Sequence, residues 1–174
     1  VNERGAIVVD KRLHTTADNI WAMGDVTGGL QFTYISLDDY RIVRDELLGE
    51  GKRSTDDRKN VPYSVFMTPP LSRVGMTEEQ ARESGADIQG VTLPVAAIPR
   101  ARGMNDTRGV LKAIVDNKTQ RMLGASLLCV DSHEMINIVK MVMDAGLPYS
   151  ILRDQIFTHP SMSESLNDLF SLVK

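Results

Sequence analysis

Cys129 is the only cysteine in this chain of 174 residues. A single thiol excludes an internal disulfide and a cysteine-based metal cage. Long apolar runs are also missing. The stretch around Leu93 to Ile98 is far too short to span a bilayer, and the opening "VNERGAIVVD" lacks the basic-then-apolar pattern of a signal peptide. A cytoplasmic protein with no membrane partner is therefore expected. No basic block occurs either: 20 Lys and Arg stand against 23 Asp and Glu, a formal net charge of -3, so nucleic acid is not an expected partner. An initiator methionine is absent, and Val1 leads straight into "RGAIVVD", which alternates like a strand with no turn before it. The chain is expected to be a piece of something longer, holding part of a site.

What is present suits a globular protein of one domain or slightly more, with 42% hydrophobic and 25% charged residues. Gly5 to Asp10 and Ile20 to Met23 read as short buried strands, and Leu37 to Leu48 as a helix with Tyr40, Val43, Leu47 and Leu48 on its apolar side, stopped at Gly49. The segment 49–60, "GEGKRSTDDRKN", mixes glycine with dense charge and reads as a linker, dividing the chain into 1–48 and 61–174. After it, "YSVFM" reads as a strand and "TPPLSR" as a turn. Thr77 and Gln80 make a capping box for a short helix that Gly85 stops.

Val91 to Ile98, Gly109 to Asp116 and Met122 to Val130 read as strands, the last two forming an antiparallel hairpin. Asp131 or Ser132 caps a helix striped with Met135, Ile136, Val139, Val142 and Met143, ended by Gly146 and Pro148. A closing helix places Leu166, Leu169, Phe170 and Val173 on one face. Hairpin strands with helices packed on them make an α+β arrangement, an antiparallel sheet with packed helices. The part before the linker is too short to bury its own strands and is expected to complete a sheet supplied from elsewhere.

Two stretches carry candidate chemistry. In "IWAMGDVTGG", 20–29, a buried strand ending in Gly24-Asp25 would bring a carboxylate to the strand's carboxyl end, where α/β sheets hold ligands. On the dipeptide alone, a turn is the better reading. In "THPSMSESL", 158–166, His159 can exchange a proton near neutral pH, and Glu164 on its other ring nitrogen would fix the tautomer. Ser161 to Glu164 is also a capping box, which explains Glu164 without catalysis. His14 and His133 lack partners at ligand spacing, so no metal site is expected. The nine methionines and Cys129 read as packing, and the arginines of 99–109 as a solvated loop.

Taken in order, "TTADNIWAMGDV" (15–26), "VPYSVFMTPPLSRVGMTEEQA" (61–81) and "HPSMSE" (159–164) resemble the C-terminal part of the FAD-dependent pyridine nucleotide-disulfide oxidoreductases, the family of glutathione reductase, dihydrolipoamide dehydrogenase and mercuric reductase. Within it the chain is most similar to bacterial members related to reactive-chlorine resistance. The resemblance implies that 1–48 end an FAD-binding domain and that 61–174 are the dimerisation domain of a homodimer. It matches Asp25 to an aspartate that binds the ribityl chain of FAD, with Gly24 beside it and Phe32 and Thr33 in a segment near the isoalloxazine ring. His159 matches the acid-base group for the redox thiols, reaching into the partner subunit across a cis His-Pro bond, and Glu164 the carboxylate that orients it.

NAD(P)H is the implied electron donor, and a small molecule or a metal ion the implied acceptor. The family's Gly-rich fingerprints and its Cys-x-x-x-x-Cys pair are absent from these residues, as is the paired-cysteine tail of a mercuric reductase. The expected function is the dimerisation region of a flavoprotein oxidoreductase. The alternatives are a non-catalytic dimerisation module, or a parent that reduces a metal ion.

Overall fold

The computed structural model describes residues 1–174 and divides them into two compact units, Val1–Lys59 and Asn60–Lys174. The second holds a five-stranded sheet, wholly antiparallel, in the order β1 (Tyr63–Val65), β2 (Leu71–Gly75), β5 (Met122–Leu128), β4 (Val110–Asp116), β3 (Ile88–Pro94). Antiparallel pairing follows from short connections such as 117–121, which turn the chain back beside itself. The register places Leu111 opposite Leu127 and Ala113 opposite Ala125, so these four buried residues share one face.

That face is covered by α4 (Ser132–Asp144), which packs on β2 and β5, and by α6 (Ser165–Ser171), which packs on β3 and β4. Met135, Ile136, Val139, Leu166, Leu169 and Phe170 all lie in this core. Burial of each large side chain contributes about 1.5–3 kcal/mol, which holds α4 although Asp131 makes no capping bond with its side chain. The remaining helices are α2 (Glu78–Glu83), α3 (Pro99–Gly103) and α5 (Ser150–Asp154). The Thr77–Gln80 capping box opens α2 as expected.

The structure corrects several expectations. "TPPLSR" is not all turn, because β2 starts at Leu71, directly after Pro70, and pairs along its length with β5. The loop 99–109 contains α3, whose Pro99 sits in the first turn, where a missing N–H costs nothing. No helix of the chain is long and apolar enough to cross a membrane.

The first unit is built on α1 (Thr33–Leu48), which begins four residues before the expected start. Its buried side is Ile35, Asp39 and Ile42, whereas Tyr40, Leu47 and Leu48 are exposed. Gly5 to Asp10 and Ile20 to Met23 form no ladder, only one bridge between His14 and Trp21, and Val8, Ile20 and Met23 are exposed. The backbone is satisfied by single bonds instead of a ladder: the Thr15 and Ala22 N–H groups donate to the carbonyls of Ile20 and Leu13, and the Ile7 N–H to that of Val26. Residues 49–59 fold back in the same unit. Asp45 accepts from the N–H groups of Lys52 and Arg53 at 2.8 and 2.9 Å, and Ser54 and Asp57 form a capping box.

Candidate functional site

His159 lies on the segment between α5 and α6, 70% exposed, with a cis peptide bond to Pro160. Its Nδ1 is 2.8 Å from Glu164 Oε2. A carboxylate that is ionised only accepts, so a hydrogen bond at this distance puts the hydrogen on Nδ1 and leaves Nε2 of the exposed ring as the nitrogen for proton exchange. The other oxygen of Glu164, Oε1, accepts the Ser161 N–H at 3.3 Å, and the Glu164 N–H donates to Ser161 Oγ at 3.2 Å. These reciprocal bonds close the turn ahead of α6, whose N-cap is Glu164 with no side-chain cap bond, and they coexist with the His159 contact because one carboxylate has two oxygens. Glu164 itself is mostly buried, at 17% exposure, which keeps it in place.

Asn167, one turn further along α6, was not singled out in the sequence. Its Nδ2 faces the carbonyls of Leu152, Arg153 and Gln155 at 2.8, 3.0 and 2.9 Å. Its side chain thus receives the end of α5, whose last carbonyls have no partner within so short a helix.

In the first unit, Gly24–Thr27 form a 3-10 turn. Gly24 has φ +75°, and a Cβ there would meet Ser36 Oγ at 3.0 Å. Asp25 is exposed, and its carboxylate has no hydrogen-bond partner in the chain. The turn is tied to α1 through the Gly24 N–H, which donates to Asp39 Oδ2 at 2.7 Å. Asp39 is only 2% exposed, and its other oxygen pairs with Arg58. Arg58 also donates through Nε to Asp38 at 2.7 Å, and Arg53 reaches Asp38 at 3.0 Å. Burial works against the Arg58 charge, but bonds to Asp38 and Asp39 outweigh it and hold the guanidinium above its ordinary value. Phe32 precedes α1 in extended conformation and Thr33 is the first helical residue, the Phe32 and Tyr34 rings stacking at 5.0 Å.

Asp39 and Arg58 were also missed, since an acidic pair on a helix and a charge run nineteen residues on give no sign of each other. The remaining candidates are placed without a common site. His14 lies against Asp10 and Trp21, and His133 beside Phe66. No group of three or more His, Cys, Asp and Glu side chains is arranged to hold a metal ion. Cys129 is fully buried; burial, with the Asp131 charge adding, pushes its thiol up to about 12.

Residues 61–170 match the pyridine nucleotide-disulphide oxidoreductase dimerisation domain. The chain is 99% identical over 174 residues to the probable pyridine nucleotide-disulfide oxidoreductase RclA of Escherichia coli K12, covering 100% of this chain and 40% of that protein. It is 35% identical over 164 residues to a mercuric reductase of Staphylococcus aureus, covering 94% and 30%, and 31% identical over 170 residues to a dihydrolipoyl dehydrogenase of Mycobacterium tuberculosis, covering 98% and 37%. Among solved structures, a Cu(II) complex of the HOCl-induced flavoprotein disulfide reductase RclA from E. coli superposes with TM-score 0.99 at 98% identity, covering 100% of this chain and 40% of that one. LpdA of M. tuberculosis shares the fold, with TM-score 0.85 at 23% identity, over 95% of this chain and 36% of that one. The chain thus spans well under half of each of these relatives. The antiparallel sheet, its covering helices and these likenesses together place the chain in the pyridine nucleotide-disulfide oxidoreductase family, whose dimerisation domain it carries.

Proposed function

We propose that this chain is the C-terminal part of a homodimeric, cytoplasmic oxidoreductase that passes electrons from NAD(P)H through FAD and a redox cysteine pair to a disulfide acceptor. His159 is its acid-base group, acting in the site of the partner subunit, and Glu164 orients it. The observation that carries this reading is the 2.8 Å contact from His159 Nδ1 to Glu164, on a side chain that is otherwise exposed. In this reading 1–48 end the FAD-binding domain, 49–60 lead out of it, and 61–174 pair with a second copy. The exposed Val8, Ile20, Met23, Val26 and Leu30 support it, as apolar surface that the rest of such a domain would cover.

FAD, when bound, carries electrons between the nicotinamide and the cysteine pair. The uncommitted carboxylate of Asp25 suits hydroxyl donors such as those of a ribityl chain, and the bare backbone of Gly24 suits a close approach. Phe32 and Thr33 are the further cofactor contacts of this reading. A thiolate of the redox cysteine pair would attack the acceptor disulfide, forming a mixed disulfide with one sulfur while the other leaves as thiolate. Protonated His159 gives it the Nε2 proton and becomes neutral, while Nδ1–H stays on Glu164.

A metal-ion acceptor is the second reading. The Cu(II) complex of RclA and the likeness to a mercuric reductase favour it. The two separate in one experiment on the full-length protein. His159→Ala should slow turnover of a disulfide acceptor about 10²–10⁴-fold while flavin reduction by NAD(P)H stays intact. With a metal ion as the physiological acceptor no thiolate leaves, and its reduction should be nearly unaffected. Equal, minor losses with every acceptor would return His159 to a structural role.

A further inference from the structure

The loop that carries His159 has little of its own to hold it. Residues 155–160 make no backbone–backbone hydrogen bond, Ile156 is 94% exposed, and only Phe157 packs against the core. Polar side chains on one short helix do the holding. Glu164, at the start of α6, grips the far end of the loop through the imidazole and the Ser161 N–H. Asn167, one turn on, grips the near end through three carbonyls, the last of which, that of Gln155, already belongs to the loop. The two are joined through α6 itself, where the Asn167 N–H donates to the Glu164 carbonyl at 2.9 Å.

We infer that Asn167 is a positioning residue for His159: the amide that closes α5 sets where the loop departs, and so where the imidazole stands relative to the group that exchanges its proton. The inference rests on the reading of His159 as the acid-base group. An asparagine that merely stopped α5 would need one or two of its carbonyls. This one also takes the carbonyl beyond the helix. Its amide has two hydrogens for three acceptors, so at least one hydrogen is shared, and both ends of the contact are drawn to one atom.

The test uses the full-length flavoprotein and an isosteric change. Asn167→Asp keeps the shape but replaces both donors with a carboxylate facing three carbonyl oxygens. It should lower kcat with a disulfide acceptor about 10-fold, the scale of a displacement of an ångström or less at a reacting group, with flavin content and flavin reduction by NAD(P)H unchanged. Asn167→Ser, which keeps one donor, should lose less and serves if the aspartate variant folds poorly. The deciding measurement is the double variant with His159→Ala. If Asn167 acts through His159, Asn167→Asp adds no further loss once the imidazole is gone. The same loss in both backgrounds, or no loss in either, overturns the positioning role. If His159→Ala alone leaves disulfide turnover unchanged, the underlying reading of His159 fails, and that outcome is distinct from a failure confined to Asn167.

Discussion

Cys129 shows at the scale of one residue how position governs chemistry. The thiol lies in the core beside the sulfur of Met135, 3.8 Å away, and a thiol pushed up to about 12 leaves roughly a thousandfold less thiolate at pH 8 than an ordinary cysteine. It should therefore resist iodoacetamide in the native protein at pH 8 and react only on unfolding; rapid labelling without loss of structure would contradict this. Glu164 teaches a different lesson. Its spacing to Ser161 and its spacing to His159 were both legible in the sequence, and they read as competing explanations. Only the folded structure shows that the two oxygens divide the work.

Among the elements, α2 is fastened to the sheet by charge. Glu78 accepts from Arg82 at 2.5 Å within the helix and pairs with Lys112 on β4. Bonds to Lys112 and then Arg82 hold its carboxyl down at about 2, from an ordinary 4.5. A carboxylate depressed on folding stabilises the native state above its unfolded pKa, and that stability is lost as pH falls through the folded value. Glu78→Gln should thus lower Tm slightly near neutral pH, and the gap to wild type should close as pH drops from about 4.5 to about 2. High salt should shrink the gap too, since the pair is partly exposed. A gap independent of both pH and salt would refute the assignment. The boundaries of other elements escaped the sequence for local reasons. Two prolines masked the start of β2, and α3 and α5, of five residues each, are too short to show a periodicity.

For the whole molecule, the cofactor question turns on shared work between distant segments. Affinity for a dinucleotide comes mainly from backbone N–H groups at a Gly-rich turn and helix N-terminus, and this chain contains no such fingerprint. On its own it should bind FAD weakly or not at all, and tight stoichiometric binding in a titration would overturn this expectation. In the full-length protein, Asp25→Ala should reduce retained flavin directly. Asp39→Asn should reduce it indirectly, by about 10-fold in affinity, as the Gly24 turn loses a charged acceptor and Arg58 a partner. Pairing of the second unit with a copy of itself should bury on the order of 1,600 Å² or more, and a strictly monomeric chain in sedimentation at micromolar concentration would refute it.

The order of three motifs, the capping boxes and the 2- and 3.6-residue periods were enough to determine the family and the α+β class, because each is a pattern among near neighbours. Long-range partnership was decided by the tertiary structure. Asp39 became the buried anchor of the Gly24 turn because Arg58, nineteen residues on, folds back to neutralise it. Gly5 to Asp10 stayed outside any ladder because a strand is defined by its neighbour as much as by its own residues. The amide of Asn167 meets three carbonyls 12 to 15 residues earlier, a convergence that exists only after α5 and α6 have packed.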